Sequence, residues 1–490
     1  MSIWKLRNWV IDPDFPKQEQ LENLRYYKYA ATDKSLLTKY VLRHYWNACV
    51  NFFPRWMAPN LITLTGLVLM MFSVAIILTY VPDLQYTDET PRWIYFCFAA
   101  SLWLYSTLDN VDGKQARRTG TSSPLGELFD HGCDAINCTF VALLQAAALG
   151  LGHSGDAGIL LLVTVIGFYL STAEEYYTGV LYLGIVNGPT EGILVTCLAF
   201  IWSGFYGAAS WHILLSDVSW TSGIAKYLPE GTNFSKVFVW GMVFFFLVTH
   251  LPFCMHSIYT ATSSESVKRR LTIFVNVLYP IVLYTGAVSL WMWSPYSIIF
   301  EQNHYILFSL AVGIMFGMMA SNIILAHLTK SPFPSFTGIL GSLWLMAFLI
   351  GILPSVIGKR IVAGQAEHLA IWIYFIISVI VYGIWSSMVI DGFCRFLGIR
   401  CLVISQPDQR AVPSSSTSPG LFLYDFFPRD YRIEGVYRYY GIWKKNIIFL
   451  NIDNICSIEQ AQEQDSLLQS QEEGAGSSGG RNGGSSYSTF

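Results

Sequence analysis

Apolar residues in this chain come in long blocks instead of alternating with polar ones. Crossing the roughly 30 Å hydrocarbon core of a bilayer takes about 20 helical residues. Ten blocks approach that length, at about residues 61–81, 93–113, 124–149, 157–178, 189–209, 237–260, 271–293, 304–326, 336–357 and 367–394. The third opens with polar residues and the fifth is short. The pattern predicts an all-α, polytopic integral membrane protein with about 10 transmembrane helices. Ahead of the first block, LLTKYVLRHYWNACVNFF mixes apolar and basic residues at helical spacing. That predicts an amphipathic helix over 35–53, lying at the cytoplasmic interface or packed on the spans. Beyond residue 403 come a Pro/Ser linker, an aromatic stretch and, over 457–490, a Gln, Glu, Gly and Ser composition that predicts a disordered tail.

Composition agrees with the blocks. Hydrophobic residues make up 53% of the chain and charged residues 13%, against about 25% charged in a soluble domain. A net charge of -3 leaves no basic excess for nucleic acid. The N-terminus carries no short apolar core with a small-residue cleavage site. Nine scattered cysteines form no CxxC and read as small buried hydrophobes. Basic residues collect at one set of loop ends, including Lys114, Arg117, Arg118, Lys268, Arg269, Arg270, Lys330, Arg395 and Arg400, with Lys359 and Arg360 as exceptions. This bias puts both termini in the cytoplasm. The sequon at Asn233 then falls in a lumenal loop.

One stretch breaks the apolar pattern. DNVDGKQARRTG, residues 109–120, ends the second block, and GELFDHGCD opens the third. Asp109 and Asp112 are spaced i, i+3, and Asp130 and Asp134 are spaced i, i+4, so each pair shares one face of its helix. The short link RTGTSSP predicts an antiparallel hairpin that lets the two acidic pairs face each other. Four converging carboxylates in a low-dielectric site repel unless cations compensate. All-oxygen ligands suit Mg²⁺ or Mn²⁺, and two such ions are the usual arrangement for in-line phosphoryl displacement. Gly113, Ala116 and Gly126 remove bulk beside the carboxylates, while Lys114 and Arg117 are placed to meet phosphate oxygens. The competing readings are a simple ion pair and a transporter's ion pathway. The first accounts for only one or two of these charges.

The spacing Asp112-Gly113-x2-Ala116-Arg117-x8-Gly126-x3-Asp130-x3-Asp134 matches the signature of the CDP-alcohol phosphotransferase family, with Asp109 as its first aspartate. WMAPNLITLTG, STAEEYYTGVLYLGIVNGPTEGI and IILAHLTKSPFP extend the resemblance to the eukaryotic choline/ethanolamine branch over roughly residues 20–400. The resemblance implies transfer of phosphocholine or phosphoethanolamine from CDP-choline or CDP-ethanolamine to diacylglycerol, releasing CMP. It implies metal ligation by Asp109, Asp112, Asp130 and Asp134, with two Mg²⁺ or Mn²⁺ ions. Gly113, Ala116, Arg117, Lys114 and Gly126 then line the CDP pocket, with Asn60 as a nucleotide contact. It also implies a six-helix catalytic core at 61–260 between a cytoplasmic arm (1–60) and further helices (261–402) used in a homodimer, followed by the tail (403–490). The setting it implies is the endoplasmic reticulum membrane, or the Golgi, with the site facing the cytoplasm. A relative that binds lipid without catalysis, or one specific for another alcohol, shares much of this pattern.

The general base stays open between Asp134 and His131. A neutral imidazole is the better-matched base near pH 7, and Glu127, one turn before His131, is placed to orient it. The alternative has His131 and Glu127 only supporting the metal ligands. Glu174, Glu175, Glu191, Tyr176 and Tyr177 are ordinary interfacial residues or contacts for a cationic headgroup. His250, His256 and His327 have no metal-ligand spacing and read as structural.

Overall fold

The computed structural model describes residues 16–87, 89–334 and 338–404; the tail beyond 404 lies outside the described residues. Each of the ten apolar blocks holds a helix, and local signals set the ends. α1 (Pro59–Tyr80) begins on a proline, which suits a first turn where the backbone N–H has no partner anyway. α2 (Trp93–Thr119) stops at Gly120, whose φ of 69° lies in the left-handed region that glycine enters without a Cβ clash. α3 (Pro124–Ala148) starts at once, its first turn capped by Ser123 Oγ, which accepts from the Gly126 N–H at 3.2 Å. Then follow α4 (Gly155–Thr178), α5 (Ile193–Tyr206) behind a π-helical turn at Gly188–Gly192, and α6 (Phe234–Ala261). α7 (Val267–Met292), α8 (Tyr305–Thr329), α9 (Leu340–Ile357) and α10 (Gly364–Leu397) complete the set. Asn233, the sequon asparagine, caps α6 by accepting from the Lys236 N–H at 3.1 Å.

Seven of these helices, α1, α4 and α6 to α10, are long and apolar enough to cross a membrane. The chain is a multi-spanning membrane protein. The other three differ for visible reasons. α2 carries the charged run, α3 opens on polar residues, and α5 has 14 residues.

α3 and α8 form the centre. α3 packs on α1, α4 and α8, and α8 packs in turn on α3, α4 and α10. α2 and α3 make few contacts with each other; both lie more extensively on α1, so the hairpin is wedged open. Gly66 on α1 permits that wedge, since a Cβ there would stand 3.2 Å from the Tyr105 ring. Buried Glu367 on α10 ties the far region together. It accepts from Trp291 Nε1 (3.0 Å), Ser297 Oγ (2.7 Å) and the Ile298 N–H (3.1 Å). Glu367→Ala strands three donors, each unmet partner costing about 1–3 kcal/mol. It should lower the melting temperature in detergent by several degrees; an unchanged midpoint would count against this role.

Among the described residues, one two-stranded sheet departs from all-α. β1 (Ala31–Asp33) pairs in parallel with β2 (Leu181–Leu183), between the N-terminal arm and the segment after α4. Three-residue strands are too short for alternation to reveal them. Residues 36–52 are helical. Leu42, Trp46 and Val50, four apart, form the buried side, and Val50 packs with Ile62, Leu108 and Val111 of α1 and α2.

Candidate functional site

α2 and α3 carry the acidic pairs to one place. Oxygens of Asp109, Asp130 and Asp134 all lie within 4.8 Å of one another. Asp112 is buried beside them and accepts a hydrogen bond from Thr63 Oγ1 of α1. Asp134 Oδ1 accepts from the Tyr105 hydroxyl at 2.5 Å. Asp109 Oδ1 and Asp130 Oδ1 are buried with no hydrogen-bond partner. No lysine or arginine among the described residues forms an ion pair with any of the four carboxylates. Buried carboxylate oxygens normally have donors or a cation. This cluster has hard oxygen donors, mutual repulsion and two unpartnered oxygens, and it therefore fits a divalent metal.

The neighbouring basic residues divide their work. Arg118 Nη1 donates to the carbonyls of Val50 (2.6 Å) and Phe53 (2.9 Å), closing the end of the arm helix. Lys114 Nζ donates to Asn47 Oδ1 at 2.8 Å. Arg117 is exposed and makes no hydrogen bond among the described residues, and it folds over Gly113, where a Cβ would stand 3.5 Å from Nη1. Ala116 follows one turn along the same helix, only half-buried. Gly126 faces Asn60 Oδ1. Asn60 is itself buried, and its Nδ2 donates to the Cys401 carbonyl at 3.1 Å, tying α1 to the segment after α10.

Around His131 the partners differ from those the sequence offered. Glu127 Oε2 accepts from the Tyr27 hydroxyl at 2.5 Å. The carboxylate that meets His131 is Glu175 of α4, with Oε2 3.5 Å from Nδ1. Glu174 and Glu175 are buried. Glu191 is occupied by Ser35 Oγ (2.5 Å) and the Asn187 N–H (2.9 Å). Tyr176 donates to the Ser331 carbonyl at 2.7 Å, and Tyr177 stacks on Phe333. Reading the sequence alone missed Thr63, Tyr105, Tyr27 and the Glu175 contact. Tyr105 was within reach, since it precedes Asp109 by four residues on one helix; the other three come from distant segments.

A multi-spanning membrane protein with a half-buried acidic cluster on two consecutive helices is thereby defined. Residues 56–173 match the family model for CDP-alcohol phosphatidyltransferases. Cholinephosphotransferase 1 of Saccharomyces cerevisiae is 34% identical over 407 residues, covering 81% of this chain and 99% of that protein. Choline/ethanolaminephosphotransferase 1 of Arabidopsis thaliana is 34% identical over 389 residues, covering 79% and 97%. Cholinephosphotransferase 1 of Bos taurus is 33% identical over 315 residues, covering 64% and 73%. The chain belongs to the CDP-alcohol phosphatidyltransferase family.

Proposed function

We propose that this protein transfers phosphocholine or phosphoethanolamine from the CDP-alcohol to diacylglycerol, giving phosphatidylcholine or phosphatidylethanolamine and CMP. The observation that carries the reading is the half-buried carboxylate cluster with two buried, unpartnered oxygens. The choline and ethanolamine headgroups are those in the names of its relatives. Asp109, Asp130 and Asp134, with Asp112 steadied by Thr63, would hold two Mg²⁺ or Mn²⁺ ions. Bound there, the ions would neutralise the diphosphate and stabilise the departing CMP.

The chain's own groups do the rest. Arg117, which makes no hydrogen bond among the described residues, meets a phosphate oxygen, and Gly113 and Ala116 leave room for the nucleotide. His131 takes the proton from the lipid hydroxyl as that oxygen bonds to the β-phosphorus and the bridging P–O bond to CMP breaks. Glu175 holds the imidazole in place. A site at the end of α2 lets a water-soluble donor arrive from the cytoplasm and a lipid acceptor arrive from the bilayer. We assign the catalytic core to 61–260, although α8, from the following region, packs directly on α3. The outward apolar faces of α7, α9 and α10 are offered to lipid or to a second copy in a homodimer, in the endoplasmic reticulum or Golgi membrane.

The test uses purified full-length protein in detergent with diacylglycerol, Mn²⁺ or Mg²⁺, and CDP-choline with CDP-ethanolamine in equal amounts. Metal-dependent CMP release matched by the corresponding lipid is expected. Binding of metal and donor without any CMP release would favour a lipid-binding relative.

A further inference from the structure

The four site aspartates divide into two kinds. On α2, Asp112 accepts from Thr63 Oγ1 of α1, while Asp109 Oδ1 has no partner. On α3, Asp134 Oδ1 accepts from the Tyr105 hydroxyl at 2.5 Å, while Asp130 Oδ1 has no partner. Each helix therefore offers one carboxylate held by a hydroxyl and one with a bare oxygen. Both donors are buried, and both are neutral. A lysine or arginine in either place would cancel the charge that an ion needs, whereas a hydroxyl fixes an oxygen and leaves the charge. Thr63 Oγ1 also lies 3.3 Å from the Pro59 carbonyl, but its contact with Asp112 is the shorter one.

Tyr105 does more than hold an oxygen. It belongs to α2 and its acceptor belongs to α3, two helices that touch each other little. Its ring rests against α1 at Gly66, where a Cβ would stand 3.2 Å from the ring. The phenol thus spans the open hairpin from a fixed base. Asp109 follows one turn along α2, and it has an oxygen within 4.8 Å of ones on Asp130 and Asp134. The reach of one side chain sets the gap between the acidic pairs. We propose that Tyr105 is a positioning residue, a strut that fixes the width of the metal site, with Thr63 as its counterpart on Asp112. Mg²⁺ demands short contacts in near-ideal geometry, whereas Ca²⁺ accepts longer contacts in a flexible site. A fixed gap therefore favours the smaller ion. This inference rests on the metal site of the proposed function and names the residues that set its selectivity.

The test titrates full-length protein in detergent with Mg²⁺ and with Ca²⁺ by calorimetry, without donor or lipid. Wild type is compared with Tyr105→Phe, Thr63→Val, Thr63→Ser and Tyr95→Phe. Tyr105→Phe keeps the ring against Gly66 and deletes only the hydroxyl. It should weaken Mg²⁺ binding by about 10–100-fold, the usual cost of losing a group that orients a metal ligand. Its Ca²⁺ binding should weaken by less than about threefold, since Ca²⁺ tolerates a looser site. Thr63→Val should also weaken Mg²⁺ binding, and Thr63→Ser, which keeps the hydroxyl, should stay within about threefold of wild type. Tyr95→Phe deletes another buried phenol oxygen of α2, nearer its start, and should bind both ions as wild type does. Unchanged Mg²⁺ affinity in Tyr105→Phe, or equal losses for the two ions, would overturn the strut. So would a Tyr105→Phe protein that no longer melts cooperatively in chelator, because its role would then be stability alone. Equal Mg²⁺ affinities in Thr63→Val and Thr63→Ser would remove Thr63 from the assignment. Wild type that binds Mg²⁺ but releases no CMP from any CDP-alcohol would sink the proposed reaction and leave the strut standing, whereas wild type that binds neither ion would overturn the strut.

Discussion

Asp130→Asn should lower CMP release by about 10³-fold or more while leaving the protein folded. The substitution keeps the shape of the side chain and removes one charge. Loss of a single group that stabilises charge in an acyl- or phosphoryl-transfer transition state removes about 10²–10³ in rate, and loss of a metal ligand removes the charge of the ion as well. Asp130 has an oxygen within 4.8 Å of ones on Asp109 and Asp134, and its Oδ1 has no donor. Without metal, the carboxylates repel each other. The variant should therefore melt no lower than wild type in chelator, and wild type alone should gain stability when Mn²⁺ is added, as binding to the folded state requires. Retention of more than a tenth of wild-type activity, or equal Mn²⁺ stabilisation in both proteins, would show that Asp130 is not a ligand.

The acidic site was legible because its information is local. The intervals 109–112 and 130–134 each fix a helix face without knowledge of the rest of the fold. The ten helices were legible for a related reason: a block of apolar residues needs no partner to be recognised. What those blocks pack against was not legible. α6 and α8 have mean hydropathies of 2.0 and 1.9, yet their windows are 11% and 78% buried. Apolar side chains suit lipid and protein neighbours equally, so hydropathy alone cannot separate a lipid-facing helix from a central one. The same limit applies to polar partners. Nothing near Asp112 announces Thr63, and nothing near Glu127 announces Tyr27, 100 residues away. Nor does anything near Asn60 announce that its amide donates to the Cys401 carbonyl, 341 residues away.

His131→Ala should lower kcat by about 10²–10⁴-fold, the usual contribution of a positioned general base, with little change in the donor KM. The two candidates differ in their surroundings. Asp134 Oδ1 accepts from the Tyr105 hydroxyl at 2.5 Å, and the residue belongs to the carboxylate cluster that would hold the metal. His131 Nδ1 faces Glu175 Oε2 at 3.5 Å, and Nε2 has no hydrogen-bond partner among the described residues. Glu175 Oε2 has no hydrogen-bond partner among the described residues, and its closure on Nδ1–H would leave Nε2 as the acceptor, the tautomer a base requires. The 3.5 Å separation is loose, as such contacts often are before substrate binds. Glu175→Gln keeps a polar contact and loses the charge that favours an imidazolium, so its loss should be smaller, about 10–100-fold. Combined in one chain, the two changes should cost little more than His131→Ala alone, because Glu175 acts through the imidazole. Fully multiplicative losses would place Glu175 elsewhere in the mechanism. A His131→Ala enzyme within tenfold of wild type, beside an inactive Asp134→Asn enzyme that still binds metal, would assign the proton to Asp134.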